Sequence, residues 1–88
     1  MILRYQQLLH LPVETISGLK LGFIIAFDVE TEQQVVTRYY VRAGLLARPF
    51  ASELIISASQ VVSLTNEKMV VEEAVAPAAL AATPAATA

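Results

Sequence analysis

The chain has 88 residues, six basic and eight acidic, with one histidine, no cysteine and a formal net charge of −2. At this length it forms one domain at most. The missing cysteine excludes disulfide scaffolds, thiolate metal sites and cysteine nucleophiles, and the acidic balance is the opposite of a nucleic-acid-binding footprint.

The composition is uneven. All 14 charged residues precede Ala74, and nine of the last 15 residues are Ala, with Pro77, Thr83, Pro84 and Thr87 among them. That stretch has only Val75 and Leu80 as bulky apolar side chains. It buries too little surface to offset its ordering entropy and reads as a disordered tail, residues 74–88, behind a domain of residues 1–73. Apolar runs such as Phe23 to Phe27 are five residues long, whereas a membrane-spanning helix needs roughly 20. Polar residues interrupt the N-terminal segment, which argues against a secretory signal and makes the cytoplasm the default location.

In chain order, Arg4 to His10 is the expected helix: Tyr5, Leu8 and Leu9 have the spacing of an apolar stripe, and Pro12 stops it before Leu11. Val13 to Ile16 reads as a first strand entering a turn at Ser17-Gly18. From Lys20 to Val29, the residues Leu21, Phe23, Ile25, Phe27 and Val29 alternate onto one face, with Ile24 and Ala26 on the other. Gly22 marks a bend or a close backbone approach.

The acidic stretch from Glu30 to Gln34 reads as a hairpin loop, and Val35 to Arg42 returns as a strand. Its Val35, Thr37, Tyr39 and Val41 face one way, and Val36, Arg38, Tyr40 and Arg42 the other. Ala43 to Ser52, with Gly44 and Pro49, is an expected loop. Glu53 to Ser57 is a short strand, and Val61 to Thr65 pairs with Lys68 to Glu72 across Asn66-Glu67. Five or six short strands imply a small all-β barrel or roll. A core this small usually needs disulfides, a metal or self-association, and self-association is the device left.

The sequence resembles the PRC-barrel domain family. The likeness runs through Leu8-Leu9-x-Leu11-Pro12-Val13, Ser17-Gly18 and Leu21-Gly22-x-Ile24-x-x-Phe27-Asp28, then Gln60-Val61-Val62-Ser63-Leu64 and Met69-Val70-Val71-Glu72. It covers Tyr5 to Glu73. The resemblance implies an all-β fold, a β-barrel of about six strands with one short N-terminal helix, often self-associating, that serves docking and assembly without a shared catalytic motif. Among family members are the cytoplasmic part of the photosynthetic reaction-centre H subunit and the C-terminal domain of a ribosome maturation factor that binds a ribosomal protein. A maturation-type accessory role is therefore the alternative to a stand-alone docking module. Neither a membrane-spanning helix nor a second globular domain is expected beside this barrel.

The candidate site residues follow from the strand faces. Ile24, Ala26, Val36 and Tyr40 are expected as a self-contact surface, with Arg38 and Arg42 at its rim; an unidentified protein is the second partner. With Arg48, the two arginines could hold an anionic partner group. The plainer alternative is a rim paired with Glu30 or Glu32 across the hairpin. His10, alone, is expected at a surface or helix end. Asp28, Glu30 and Glu32 read as a solvated turn rather than a cation site, since no organised calcium loop surrounds them. Ser17, Ser57, Ser59 and Ser63 have no nearby base. Glu72-Glu73 is expected as a frayed strand end. No catalytic residue, cofactor, metal or small-molecule substrate is expected.

Overall fold

The computed structural model describes residues 1–42 and 53–75; the expected Ala43 to Ser52 loop, Arg48 and the tail beyond Val75 lie outside the described residues. The elements are α1 (Tyr5–Leu8), β1 (Pro12–Thr15), β2 (Lys20–Glu30), β3 (Val35–Arg42), β4 (Glu53–Ser57), β5 (Val61–Leu64) and β6 (Met69–Val71), with 3₁₀ turns at Ala58–Gln60 and Glu73–Val75. The strand-rich reading holds, and each expected strand is present within a residue or two of its bounds.

The six strands among the described residues form one sheet in the order β4-β3-β2-β1-β6-β5. The β2–β3–β4 meander pairs antiparallel on one side of β1. On the other side β6 runs parallel to β1, joining the first and last strands at the centre. The β5–β6 hairpin turns around Asn66 and Glu67, closed by Thr65 N–H donating to the Lys68 carbonyl at 3.0 Å.

The sheet must curl. Its edge strands, β4 and β5, are joined by only Ala58–Gln60. In a flat sheet they would lie about 24 Å apart, five spacings of about 4.8 Å. A three-residue link reaches about 14 Å at most. The inner surface of this curl holds the fully buried Val13, Thr15, Ile24, Val41, Ile56, Met69 and Val71, together with Leu21 and Tyr39. Leu8, Leu11 and Val75 complete the cluster. Between β4 and β5 no strand ladder runs among the described residues, so the sheet is rolled but not closed.

Two irregularities decide which side chains face inward. Between Ile24 and Ala26 the register of β2 against β3 slips at Ile25, and between Asp28 and Val29 it slips at Thr37. A bulge reverses the alternation beyond it. Ile24 therefore turns into the core, where it is fully buried, while Phe23 turns outward and is 46% exposed. Val36 packs against the core and Val35 is left exposed. The expected uniform alternation of Leu21, Phe23, Ile25, Phe27 and Val29 is corrected accordingly. Gly22, at φ 139°, sits beside a third slip, where β1 crosses from Val13↔Gly22 to Glu14↔Lys20. A side chain there would strain the backbone.

The helix is shorter than the expected Arg4 to His10. It ends at Leu8, Leu9 is extended at ψ 134°, and His10 takes φ 70°. His10 N–H then donates to the Ile24 carbonyl at 2.6 Å, and Ile24 N–H to the Leu11 carbonyl at 3.0 Å. The segment before Pro12 thus leaves the helix to lie along β2, because those bonds to the sheet replace the ones a further helical turn would make.

Candidate functional site

The outer surface of β2, β3 and β4 is the candidate site. Cross-strand partners share a face, so the register places its side chains in three rows. Asp28, Arg38 and Ser57 form one row, Ala26, Tyr40 and Ile55 the next, and Phe23, Arg42 and Glu53 the last. Ala26 is exposed, Ile55 is 54% exposed and Tyr40 is half-buried. The middle row is apolar apart from the phenol hydroxyl, and a charge pair borders it on each side.

At one border the Arg38 Nε lies 2.9 Å from Asp28 Oδ2, and the Tyr40 hydroxyl donates to the same oxygen at 2.7 Å. At the other, Arg42 reaches Glu53 at 3.4 Å. The hydrogen bond to Asp28, helped by desolvation and by the carboxylate's charge, raises the Tyr40 pKa above the usual phenol value. Tyr39, on the inner face, is raised by burial. These surface pairs fix geometry more than they add stability, since each charge remains largely in water.

Of the six residues expected here, Ala26, Arg38, Tyr40 and Arg42 share this face. Ile24 and Val36 do not. Ile24 is enclosed in the chain's own core and Val36 packs beneath the sheet, both through the bulges described above. Their places are taken by Phe23 and Ile55. Ile55 was legible in principle, since it stands in the middle of a short strand between Glu53 and Ser57, but its partner across the sheet could not be read from that segment alone.

The arginines do not pair with Glu30 or Glu32. Asp28 takes Arg38, Glu53 takes Arg42, and Glu30 instead accepts Gln33 N–H at 2.7 Å, closing the hairpin tip. Among the described residues no three metal-ligating side chains come together. His10 is exposed, with its backbone N–H held by the Ile24 carbonyl of β2. The hydroxyls of Ser57 and Ser59 bond each other at 3.0 Å.

A shallow depression opens beside Arg38, lined by Thr37, Arg38, Ile55, Ser57 and Gln60. The Gln60 side-chain Oε1 accepts Ser57 N–H at 3.0 Å, which positions the side-chain amide at its rim.

Two further clusters hold the sheet together away from this face. Glu14, on the central strand, bonds Lys68 at 2.8 Å and lies 3.8 Å from Lys20, so it ties β1 to both flanks. The Lys68 bond lowers the Glu14 pKa and the Glu14 carboxylate raises that of Lys68. Glu73, expected to be frayed, is anchored instead: it accepts the Ser17 backbone N–H at 2.6 Å and the Ser17 hydroxyl at 3.0 Å. Ser17 in turn touches the fully buried Thr15 at 3.1 Å, whose hydroxyl accepts Leu19 N–H.

Compared with models of known families the chain matches none, and a search of curated proteins finds no matching sequence. No helix among the described residues is long and apolar enough to cross a membrane.

Proposed function

We propose that the chain is a non-enzymatic interaction module of the PRC-barrel type, acting in the cytoplasm, that pairs with a second copy of itself and docks on another protein. The carrying observation is the outer face of β2, β3 and β4. There an apolar row of Ala26, Tyr40 and Ile55, continued by Phe23, is bordered by the Asp28–Arg38 and Arg42–Glu53 pairs. An apolar centre with tyrosine and a rim carrying arginine is the composition of a contact surface.

The thin core supports the same reading. Among the described residues eleven hydrophobic side chains are buried, and a domain of this size gains from covering a second apolar face. The rolled six-stranded sheet with its short N-terminal helix is compatible with the family resemblance, which supplies the docking role.

Sedimentation velocity over a micromolar range tests the self-contact. A dimer is expected for the wild type, and Ile55→Glu, which buries a charge in the proposed contact, is expected to sediment as a monomer with an unchanged far-ultraviolet spectrum. A wild-type chain that remains monomeric throughout removes the self-association from this reading.

A further inference from the structure

We infer that the depression beside Arg38 receives an acidic side chain, Asp or Glu, next to an aliphatic residue on the partner protein. The inference rests on the docking half of the proposed function, and because Ile55 and Arg38 also belong to the proposed self-contact, its test is run at a concentration where the chain is monomeric. Its lining is one cation, three neutral polar residues and one aliphatic residue: Arg38, then Thr37, Ser57 and Gln60, then Ile55. No acid lines it. Such a surface has hydrogen-bond donors in excess and complements a carboxylate.

Arg38 is prepared for that role. Asp28 lies against its Nε, on the β2 side, and is itself held by the Tyr40 hydroxyl. This brace fixes the guanidinium while no acceptor among the described residues engages its terminal amino groups. A guanidinium offers five donors in a rigid fork, and two parallel bonds to a carboxylate are its preferred geometry. The Gln60 side-chain Oε1 is occupied by Ser57 N–H, so its amide Nε2 is the end left for a ligand.

The aliphatic requirement comes from Ile55. It is 54% exposed at the wall of the same depression, one row from Arg38 across the β3–β4 ladder. Covering it removes apolar surface from water at the same time as the carboxylate is bound. The local charge balance of Arg38 and Asp28 is zero, so recognition works through short, directed hydrogen bonds rather than a long-range field. A lysine would serve poorly here, because a point charge cannot form the fork.

The test uses the whole protein, isotopically labelled, and three probes: N-acetyl-leucyl-glutamic acid with its α-carboxyl amidated, the matching leucyl-glutamine amide, and N-acetyl-leucine. The glutamate probe is expected to shift the amides of Thr37, Arg38, Ile55, Ser57 and Gln60 saturably in the millimolar range, and the glutamine probe to bind at least tenfold more weakly. Arg38→Gln is expected to lose about tenfold, and Gln60→Ala, which leaves the Asp28–Arg38 pair in place, several-fold. Arg38→Lys should recover little of the loss.

Equal binding of the glutamate and glutamine probes, or no saturable shift for either, overturns the inference. Tighter binding of N-acetyl-leucine also overturns it, by making a free chain terminus the ligand. If the glutamate probe fails at a dilution where the chain sediments as a monomer, while the same chain dimerises at higher concentration, the assignment of the depression falls and the self-contact stands.

Discussion

Glu73 clamps Ser17 across 56 residues of sequence, accepting the backbone N–H at 2.6 Å with one oxygen and the side-chain hydroxyl at 3.0 Å with the other. The turn between β1 and β2 is thereby tied to the 3₁₀ turn that follows β6, and Val75, two residues on, is packed into the core. The backbone N–H of Ser17 is the leading cause that holds the Glu73 carboxyl below its ordinary value of 4.5. A carboxyl lowered in the folded state contributes stability that is present above the unfolded value and is lost as pH falls through the folded one. Chemical denaturation between pH 3 and pH 6 should therefore show a shallower decline for Glu73→Gln than for the wild type. Hydrogen exchange at Ser17, Gly18 and Leu19 should be faster in the variant at neutral pH. Unchanged exchange at those three amides would show that the clamp contributes nothing to the turn.

A second acid sensitivity sits on the central strand. Glu14 is lowered chiefly by its bond from Lys68, with Lys20 adding attraction, and it bridges β1 to β6 and β2. Its sign is the same as that of Glu73, so both weaken as pH drops below about 4.5. Glu14→Gln should remove a separate part of the acid dependence, and the double variant with Glu73→Gln should be the flattest. The two sites share no hydrogen-bond partner, so their effects should add. Strong non-additivity in denaturant titrations at pH 4 would contradict this.

The bulge at Ile25 predicts opposite fates for two adjacent apolar residues. Ile24 is fully buried and Phe23 is 46% exposed. Ile24→Ala should cost about 2–5 kcal/mol of unfolding free energy, the range for truncating a buried aliphatic side chain. Phe23→Ala should cost the monomer under about 1 kcal/mol, since little of the ring is enclosed. Urea denaturation at concentrations where the chain is monomeric compares the two. A larger loss for Phe23 than for Ile24 would restore the uniform alternation and reverse the assignment of faces.

Much of the strand framework was legible because β-branched residues and turn residues agree from Val35 to Arg42 and from Val61 to Val71. The faces of β2 were not, because a bulge is one extra residue whose place depends on the partner strand. From Lys20 to Val29 nearly every position is apolar, so the composition fits either assignment of inside and outside. The same ambiguity moved Val36 inward. For the candidate site, Ala26, Arg38, Tyr40 and Arg42 were visible as a periodic set on their own strands. The arginines' partners were not: Glu53 comes from a strand 11 residues away, and Asp28 faces Arg38 only because the ladder slips at Thr37. The Glu73–Ser17 clamp had no local signal at all, since it depends on β6 lying parallel beside β1.

Gln34 offers a gain rather than a loss of stability. It closes the loop between β2 and β3, donating its backbone N–H to the Glu30 carbonyl at 2.7 Å, and it does so at φ 61°. That left-handed conformation costs a non-glycine residue about 1 kcal/mol, and glycine adopts it without the clash of a Cβ. Its side chain is exposed, with no hydrogen bond among the described residues, so little is lost on removing it. Glycine also makes the unfolded chain more flexible, which offsets part of the benefit. Gln34→Gly should therefore raise stability by several tenths of a kcal/mol to about 1 kcal/mol. Gln34→Val, with a branched Cβ in the same conformation, should lower it. Thermal unfolding of the three chains should rank Gly above Gln above Val. A glycine variant less stable than the wild type would mean that the side chain at this position does more for the hairpin than the backbone strain takes away.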